Sequence, residues 1–516
     1  MHADPGLLDS AQPGSDMPAT AGRRGVARGA GVLLAGLTSV WFAPLVATVA
    51  VCSWRATGFG LWWDELASTD MASRSAGQIL RTIGRVDAVH GAYYLLLHCW
   101  TNAFGDSLAS LRMPGVLAMG GAAVCTSLTA ARVFGKREAL AAGLTFALVP
   151  SVVRYATEVR SFALVTCAAA AATLFLLRAL ERGSWRRWML YAFAVAVVGL
   201  LNLVALTLLA GHVAAAVFLA PEHGGYRALR RFAAAVAVAL CVDSPLMWLG
   251  MRQSSRQIGG VPKPTLNDLA IVWPEAFSSK IMGGVALAAL LLLWLRRERR
   301  AVAFVTAIAV LPFCLLWLAS LGPVSYFYFA RYLVFEVPVW ALAVGAAVGL
   351  VRSARLAAIV LLGVAAAVLP DQRAMHATYA HFKFNYPGGS VPAEGYKPAA
   401  AFVAHGYQPG DEATFAEQIN IREGLAYYLP RKIGLEDVFV TTTAIQRDDL
   451  FPLYCADANR CAKAAGPRVW LVVPGQSADP FTALPPDQAE ALRAYYRLSS
   501  MHHVTGMTVA LLVRNG

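Results

Sequence analysis

Long apolar runs recur through the first 370 residues, and they constrain the fold more than any other feature of the sequence. A run of about 20 apolar residues crosses a bilayer as a helix, because a helix satisfies its own backbone hydrogen bonds. Only 15% of the residues are charged, against about 25% in soluble domains, which indicates a polytopic α-helical membrane protein. We predict about eleven spans, at 29–51, 108–134, 138–153, 161–181, 188–202, 204–220, 232–250, 281–295, 301–320, 332–351 and 355–370.

Charged residues between these runs predict the orientation of the chain. The net charge is +13, and basic residues concentrate in every second connection, as at 296–300. Cytoplasmic loops carry such an excess, so we predict that the tail 1–28 is disordered and cytoplasmic. Arg23 and Arg24 also resemble a twin-arginine export signal, but no clear small-residue cleavage site follows, which favours an uncleaved first helix. The basic loops therefore indicate topology, and without a nucleic-acid-binding motif we expect no nucleic-acid partner.

The large connection at 52–107 is predicted to lie on the outer face. It is too amphipathic to consist of membrane-spanning helices. It contains Trp62-Trp63-Asp64-Glu65, in which two carboxylates follow side chains that favour the membrane–water interface. Ser75–Arg85 has its apolar residues on one helical face, which predicts a helix lying along the interface. His90–Phe104 is apolar but only about 15 residues long, so we expect an interfacial or re-entrant segment.

The composition becomes mixed and polar after Pro370, which predicts a separate domain over 371–516. Helix-like and strand-like segments alternate there, as in a small α/β domain, and an odd number of spans places it outside the membrane. Cys455 and Cys461 could form a disulfide in an oxidising compartment or remain free thiols. The predicted strands are 412–418, 438–441, 468–473 and 508–513, and the predicted helices are 398–405, 422–429 and 487–497.

Ionisable and aromatic side chains gather at the predicted outer ends of the spans. Charges at membrane depth are costly, so such groups tend to face one another or a wet cavity. Each also has an ordinary interpretation: Glu158 and Arg160 could form an ion pair, Arg331 could anchor a helix, and His90 could pack or cap. Their coincidence on one side favours a site that combines a base with phosphate-binding arginines. The candidates are Asp64, Glu65, His90, Glu158, Arg160, Arg331 and the aromatic run 326–332, which includes Tyr328.

Five motifs, taken in order, resemble those of the membrane-embedded glycosyltransferases called GT-C. The first is Asp64-Glu65, in the first outer loop. The second, His90-Gly-Ala-Tyr93-Tyr-Leu-Leu-Leu-His98-Cys-Trp100, is similar to His-Pro-Pro-x-Tyr-Tyr-Leu-Leu-Leu-His-x-Trp, with Gly and Ala in place of the two prolines. The third, Ser110–Pro114, is similar to Ala-Leu-Arg-Leu-Pro. The fourth, Arg154–Leu164, is similar to Tyr-Ser-Gln-Glu-Ala-Arg-x-Tyr-Ala-Leu, and the fifth, Arg331–Leu333, is similar to Arg-Tyr-Leu. Within GT-C the chain most resembles the family of the protein mannosyltransferases and the bacterial aminoarabinose transferase.

This resemblance implies a GT-C-like transmembrane domain over 29–370 and a glycosyltransferase of the bacterial inner membrane. The donor would be a polyprenyl-phosphate-linked sugar, with mannose or arabinose as candidates, and the acceptor a hydroxyl of a lipid, glycan or protein. Asp64 would be the general base of an inverting displacement, with Glu65 as the second catalytic carboxylate. Metal use varies across the superfamily, so a divalent cation, Mg²⁺ or Mn²⁺, is an expectation without assigned ligands. The expected substrate-binding residues are His90, Tyr93, Glu158, Arg160, Tyr328 and Arg331.

Three other classes of protein fit parts of the pattern. A polymerase or ligase that uses polyprenyl-diphosphate glycans would also need outward-facing arginines, but the carboxylate pair would then be incidental. A lipid or glycan transporter would place its polar residues near the bilayer midplane, whereas here they cluster at the outer ends of the spans. A non-enzymatic scaffold that presents the outer domain would be inactive with every polyprenyl-phosphate sugar.

Overall fold

The computed structural model describes residues 39–257, 263–297, 299–322, 330–376, 393–416 and 419–516. Up to Met375 these residues form helices and short 3₁₀ turns, and from Ala393 they form a domain of helices and strands. The helices of the first part are α1 (Phe42–Ser53), α2 (Trp63–Ser73), α3 (Ala76–Ile83), α4 (Gly91–Phe104), α5 (Leu108–Val133), α6 (Lys136–Leu148), α7 (Pro150–Thr157), α8 (Phe162–Arg182), α9 (Trp185–Leu201), α10 (Leu208–Leu219), α11 (Tyr226–Gln257), α12 (Leu266–Phe277), α13 (Lys280–Arg296), α14 (Arg299–Ser320), α15 (Val337–Val348) and α16 (Ala354–Met375).

Among the described residues, seven helical segments are long and apolar enough to cross a membrane, or up to nine if each of two bent pairs is one span. We predicted about eleven. The first ten residues of the first predicted span, 29–51, lie outside the described part, and its last ten belong to α1. The predicted span 188–202 corresponds to α9, which has 17 residues. The helical membrane architecture is therefore confirmed, with seven to nine candidate spans in the described chain.

One predicted span is bent, and a second bend joins a predicted span to a helix that was not predicted. We expected one helix over 138–153, but α6 and α7 meet at 61°. Pro150 opens α7, and Val149 before it is extended, because a residue before proline is disfavoured in the helical region. The second break lies between α12 and α13, which meet at 103°. Ser278, with φ of 52°, ends α12 there, and the sequence reading did not predict α12.

Three short helices fill the first loop. The predicted interfacial helix over 75–85 is α3, and Ser75 caps it by accepting a hydrogen bond from the backbone N–H of Gln78. A 3₁₀ turn, Ala88–His90, leads into α4, which has 14 residues, as expected for a segment too short to span. Helices α2 and α3 both pack on α4, so the loop is an ordered layer.

The C-terminal part is the predicted α/β domain. Its strand order is β1-β4-β6-β5, with β1 parallel to β4 and the other neighbours antiparallel, and β2 pairs with β3 in a second, two-stranded sheet. The elements are α17 (Tyr396–Gly406), β1 (Glu412–Phe415), α18 (Ile419–Tyr428), β2 (Val440–Thr442), α19 (Ala444–Arg447), β3 (Leu453–Tyr454), α20 (Ala458–Ala464), β4 (Arg468–Pro474), α21 (Pro486–Tyr495), β5 (Tyr496–Val504) and β6 (Met507–Arg514).

A central strand of this sheet could be predicted from its apolar pattern, whereas an edge strand could not. In β4, Val469–Val473 is buried throughout, and its continuous apolar run predicted the strand. In β5 most residues are exposed, so the strand has no apolar period and was missed. It forms because it pairs with β6 along nearly its whole length. Cys455 and Cys461 are joined by a disulfide, which decides between the two alternatives left by the sequence.

The C-terminal domain is docked on the layer of the first loop. Arg74 donates to the carbonyl of Asp449 at 2.9 Å, and Arg85 donates to the carbonyl of Arg447 at 2.6 Å. Arg81 pairs with Asp448 at 3.0 Å. Arginines of the first loop thus hold the segment at 447–449. Helix α16 continues to Met375, five residues beyond the predicted end of the transmembrane domain at 370. The domain boundary stays a prediction.

Candidate functional site

Asp64 and Arg331 are in contact, although 267 positions separate them in the sequence. Asp64 stands in the first turn of α2, where the helix dipole favours a negative charge. Arg331 lies in the 3₁₀ turn Ala330–Glu336 that precedes α15, and its Nη1 is 3.3 Å from Oδ2 of Asp64. The side chain of Asp64 is 31% exposed and that of Arg331 is 13% exposed. The predicted base and the predicted phosphate-binding arginine therefore form one polar pair with access to solvent.

Glu65, the neighbour of Asp64, is fully buried and holds two segments of backbone. Its Oε2 accepts from the backbone N–H of Trp62 at 2.9 Å, and its Oε1 accepts from the backbone N–H of Val159 at 2.8 Å. Arg112 lies 4.0 Å from the same carboxylate. The two adjacent carboxylates thus have different surroundings, and Glu65 connects α2 to the bend at 158–160.

Arg112 fixes the loop that leads into α2. This buried side chain of α5 donates to the carbonyls of Ala56, Phe59 and Gly60, the latter two at 3.1 and 3.0 Å. Its guanidinium also lies over the ring of Phe59, 4.2 Å from the centroid. Because α5 packs in the helical core, Arg112 positions the start of α2, and with it Asp64, against the membrane part.

The bend between α7 and α8 approaches the site because α5 and α7 are in very close contact. A Cβ at Gly115 of α5 would lie 2.3 Å from the carbonyl oxygen of Ala156, so no other residue fits there without a shift of the backbone. Two residues further on, the chain leaves α7 and presents Glu158 and Arg160 toward α2.

Arg160 links this bend to α2 and to His90. Its Nη1 donates to Oγ of Ser68 at 3.3 Å, and its Nη2 lies 2.7 Å from Nε2 of His90. Arginine has no acceptor, so Nε2 of His90 accepts this hydrogen bond and Nδ1 carries a ring proton. Nδ1 then donates to Oδ1 of Asp87 at 2.7 Å. Asp87, in a left-handed conformation at φ 61°, also accepts from the hydroxyl of Tyr94.

These contacts set the charge of Asp87. Burial alone would raise the pKa of this carboxyl, but His90 and Arg160 outweigh the effect of burial, so the pKa lies below its usual range. Asp87 is therefore an ionised group that fixes the orientation of His90, which in turn receives Arg160. The spacing of Asp87 and His90, three residues apart, was visible in the sequence, but their pairing was not recognised there.

Glu158 is the least satisfied group of the site. Both carboxylate oxygens are shielded from solvent and make no hydrogen bond with any described residue. Burial raises the pKa of Glu158 to about 7; Arg154 opposes this effect, and the negative charge of Glu65 adds to it. The ion pair with Arg160 that the sequence allowed is not formed, since Arg160 contacts Ser68 and His90. Glu158 is a buried carboxyl that can carry or accept a proton near neutral pH.

The other predicted residues differ in what the structure says of them. Tyr93 is buried in α4, close enough to Glu65, Glu158 and Arg160 for their charges to act on its hydroxyl. Tyr328 lies outside the described residues. Within the described part of the chain, no three His, Cys, Asp or Glu side chains are grouped closely enough to hold a metal ion. We therefore derive no step through a metal.

Comparison with known proteins finds one family match within this chain. Residues 92–248 match the model of a family described as dolichyl-phosphate-mannose-protein mannosyltransferase. None of the curated proteins matches the sequence. The matched segment includes α7, α8 and the bend that carries Glu158 and Arg160.

The fold is similar to that of several solved membrane proteins. ArnT from Cupriavidus metallidurans in the apo state has a TM-score of 0.58 and 15% sequence identity, over 95% of this chain and 98% of that one. The same protein bound to undecaprenyl phosphate gives 0.57 and 14%, over 96% and 98% of the two chains. An Archaeoglobus fulgidus oligosaccharyltransferase complexed with Zn and sulfate gives 0.45 and 13%, over 92% and 73%. The family model matches residues 92–248, and the chain shares its fold with ArnT over almost the full length of both chains.

Proposed function

We propose that this protein is a membrane glycosyltransferase that moves a sugar from a polyprenyl-phosphate donor to an acceptor hydroxyl. The observation that carries the proposal is the 3.3 Å contact between Asp64 and Arg331, which joins a half-buried carboxylate to a guanidinium in a GT-C fold. A carboxylate can remove the proton of an acceptor hydroxyl, and a guanidinium offers a planar fork of donors to a phosphate. Reaction at the outer face of the bacterial inner membrane is part of this proposal.

The donor class is supported by the chemistry of the site and by the comparisons. A polyprenyl phosphate is a sufficient leaving group, so the donor needs no nucleotide. The matched family is described by dolichyl-phosphate-mannose, and one structure of similar fold holds undecaprenyl phosphate. A guanidinium such as that of Arg331 suits the monophosphate left by such a donor. Mannose and arabinose are the first sugars to test, and the acceptor can be a lipid, a glycan or a protein.

The proposed reaction is a single displacement with inversion. Asp64 accepts the proton of the acceptor hydroxyl as its oxygen forms a bond to the anomeric carbon. The bond from that carbon to the phosphate oxygen breaks on the opposite face, and the polyprenyl phosphate departs with the electron pair. Arg331 stabilises the charge that develops on the phosphate, which is the kind of interaction that contributes most when the donors are already oriented.

The pairing of Asp64 with Arg331 gives the two groups an order of action. While Arg331 contacts the carboxylate, the guanidinium engages Oδ2 of Asp64. When the phosphate of the donor takes over the guanidinium, this oxygen can turn to the acceptor hydroxyl. In this proposal the base becomes active only after the donor has bound.

The other residues have supporting roles in the proposed site. Glu65 acts as a positioning residue, since its two oxygens hold the backbone at Trp62 and Val159. His90 and Arg160 form a chain of hydrogen bonds that ends on Asp87 and can orient a sugar or phosphate oxygen. Glu158, buried and unpaired, can accept a hydrogen bond from a sugar hydroxyl or hold a proton beside the acceptor.

The donor class is tested with the purified protein, membrane extract and radiolabelled sugars on polyprenyl carriers. We expect labelled product from polyprenyl-phosphate mannose or arabinose, and none from the corresponding diphosphates. Transfer only from a diphosphate would instead support the polymerase or ligase alternative. Inactivity with every carrier-linked sugar would reject the proposal.

The role of Arg331 is tested with Arg331→Lys, which keeps the charge and removes the fork of donors. We expect at least a tenfold fall in the rate of transfer and a higher KM for the donor. Arg355→Lys, at an exposed position of α16, is the matched control and should behave like the unmodified protein. Equal rates for both variants would exclude Arg331 from phosphate recognition.

A further inference from the structure

A second polar cavity lies between the first loop and the C-terminal domain. It has a volume of about 580 Å³, within the range of about 300–1,000 Å³ that small-molecule sites occupy. Helix α2 and the end of α4 form one wall, and α18 with the segment that follows it forms the other. The cavity therefore exists only because the C-terminal domain is docked on the first loop.

This cavity is separate from the site around Asp64. Its wall on α2 consists of Leu66, Thr69, Asp70 and Ser73, which share one helical face, together with Ala72. Asp64 precedes Leu66 by two positions, about 200° around the helix, so it lies on the side opposite that face. A ligand in the cavity would touch the same helix as the proposed base without occupying the place of donor or acceptor.

Glu423 supplies a carboxylate oxygen without a hydrogen-bond partner in this cavity. Its Oε2 is shielded from solvent and makes no hydrogen bond with any described residue, while the residue as a whole keeps some exposure. Burial raises the pKa of Glu423 to about 8, and the negative charge of Asp70 acts in the same direction. Buried polar atoms in folded proteins are almost always hydrogen-bonded, so this oxygen points to a ligand that bonds to it.

The remaining lining offers both donors and acceptors beside aromatic surface. Arg422 pairs with Asp437 at 2.5 Å, and Arg431 pairs with Asp106 at 2.9 Å, so these cations are already balanced. Tyr427 and Phe415 contribute rings. Such a lining, with balanced charges and one open carboxyl, suits a ligand that is itself uncharged and carries many hydroxyls, each of which can donate and accept.

We propose that this interdomain cavity binds a saccharide of two or three units, such as a segment of the glycan that the enzyme extends or modifies, with Glu423 as its principal hydrogen-bond partner. The choice of a saccharide rests on the proposed glycosyl transfer, whereas the existence of a polar ligand site does not. The cavity would hold a part of the glycan remote from the reacting hydroxyl, and it would couple that part to α2.

The experiment measures saturation-transfer NMR signals of mannotriose and arabinotriose with the purified full-length protein in detergent micelles. Two variants change the cavity: Ala426→Trp fills it from an exposed position of α18, and Glu423→Gln removes the carboxyl. Glu436→Gln, an exposed position outside the lining, is the matched control. Thermal unfolding of each variant shows that it has kept its fold.

We expect a signal for at least one trisaccharide with the unmodified protein and with Glu436→Gln. The signal should fall at least tenfold in Ala426→Trp and at least threefold in Glu423→Gln. It should persist in Asp64→Asn, even though transfer is lost there. A second, folded variant that fills the cavity, Ser73→Trp, gives the same reading if Ala426→Trp does not fold.

Three outcomes would overturn the proposal. The first is the absence of any trisaccharide signal with the unmodified protein. The second is a signal that Ala426→Trp and Ser73→Trp leave unchanged. The third is a signal that Asp64→Asn abolishes, which would place the saccharide in the transfer site and leave the proposed function standing.

Discussion

Helix α2 carries two aspartate–arginine pairs on different faces, and they differ in their arginines. Asp70 pairs with Arg74, the C-cap of the same helix, at 2.7 Å, and Asp64 pairs with Arg331 at 3.3 Å. The two aspartates are almost equally exposed, 29% and 31%, whereas Arg74 is 0% exposed and Arg331 is 13% exposed. The first pair is local and its arginine is buried, whereas the second is formed by tertiary structure and its arginine can be reached by a ligand.

The partners of the two arginines explain the difference. Arg74 also donates to Oγ1 of Thr82 and to the carbonyl of Asp449, so it ties α2 to α3 and to the C-terminal domain. Arg331 lies beside the ring of Tyr332, and the charges of Glu158 and Arg160 act on it. The pair of Asp70 and Arg74 therefore stabilises the contact between segments, whereas the pair of Asp64 and Arg331 belongs to the candidate site. The following substitutions test this contrast.

Asp64→Asn should reduce the rate of transfer by about 10²–10⁴-fold, because an amide cannot accept the proton of the acceptor hydroxyl. The melting temperature in detergent should change little, since Asn can still accept a hydrogen bond from Arg331. Initial rates with radiolabelled donor measure the effect. Asp487→Asn is the matched control, since Asp487 is exposed and also stands second in its helix, α21. A normal rate in Asp64→Asn would reject Asp64 as the base.

Glu158→Gln should stabilise the protein at high pH and not at low pH. The pKa of Glu158 is raised by folding from 4.5 to about 7, so the folded state favours the protonated form. The unmodified protein should therefore lose stability as the pH rises from about 5 to about 8, by up to on the order of 3 kcal/mol. Glutamine removes this loss because it does not ionise.

This pH dependence is measured by thermal unfolding at pH 5 and pH 8. The gap between Glu158→Gln and the unmodified protein should appear only at pH 8. Glu490→Gln, at an exposed position of α21, should show no such gap. If Glu158→Gln and the unmodified protein melt alike at both values, Glu158 is not the buried, unpaired group described here.

Asp70→Asn should destabilise the protein by about 2 kcal/mol, because it leaves the buried charge of Arg74 without its carboxylate. The melting temperature should fall relative to Asp64→Asn, measured in the same detergent. The contrast between the two faces of α2 fails if Asp64→Asn is the less stable variant. This measurement concerns stability alone, since Asp70 also lines the interdomain cavity.

Arg81→Ala should have the smallest effect. Arg81 pairs with Asp448 at 3.0 Å, but its side chain is 58% exposed. Exposed pairs contribute about 0–1 kcal/mol, so the melting temperature should change only slightly. A large loss of stability would mean that docking of the C-terminal domain depends on exposed pairs as much as on Arg74. The structural role assigned to Arg74 would then be wrong.

The sequence predicted which residues gather at the candidate site, but it did not predict the contacts among them. Asp64, Glu65, Glu158, Arg160 and Arg331 were selected from their positions at the outer ends of predicted spans. The structure brings them together, while their catalytic and binding roles stay predictions. What the sequence could not separate was Asp64 from Glu65, since two adjacent carboxylates have the same chemistry until burial and backbone partners distinguish them.

Features that depend on long-range contacts were missed for a common reason. The 103° bend after α12 follows from a left-handed Ser278, which apolar periodicity does not reveal. Strand β5 has too few buried residues to show a period of two, and it is a strand because β6 pairs with it. The relay from Asp87 through His90 to Arg160 joins residues that lie 70 positions apart at its second step.

Local patterns in the sequence predicted the helical membrane architecture, the α/β nature of the C-terminal domain and the residues of the candidate site. Those features depend on local quantities, the length and period of apolar runs and the side on which charges fall. Only the tertiary structure shows that Asp64 contacts Arg331, that Glu65 accepts hydrogen bonds from two backbone segments, and that a cavity forms where α18 docks on α2. Each of these requires two distant segments to meet, and the geometry of that meeting is set by packing that no local pattern encodes.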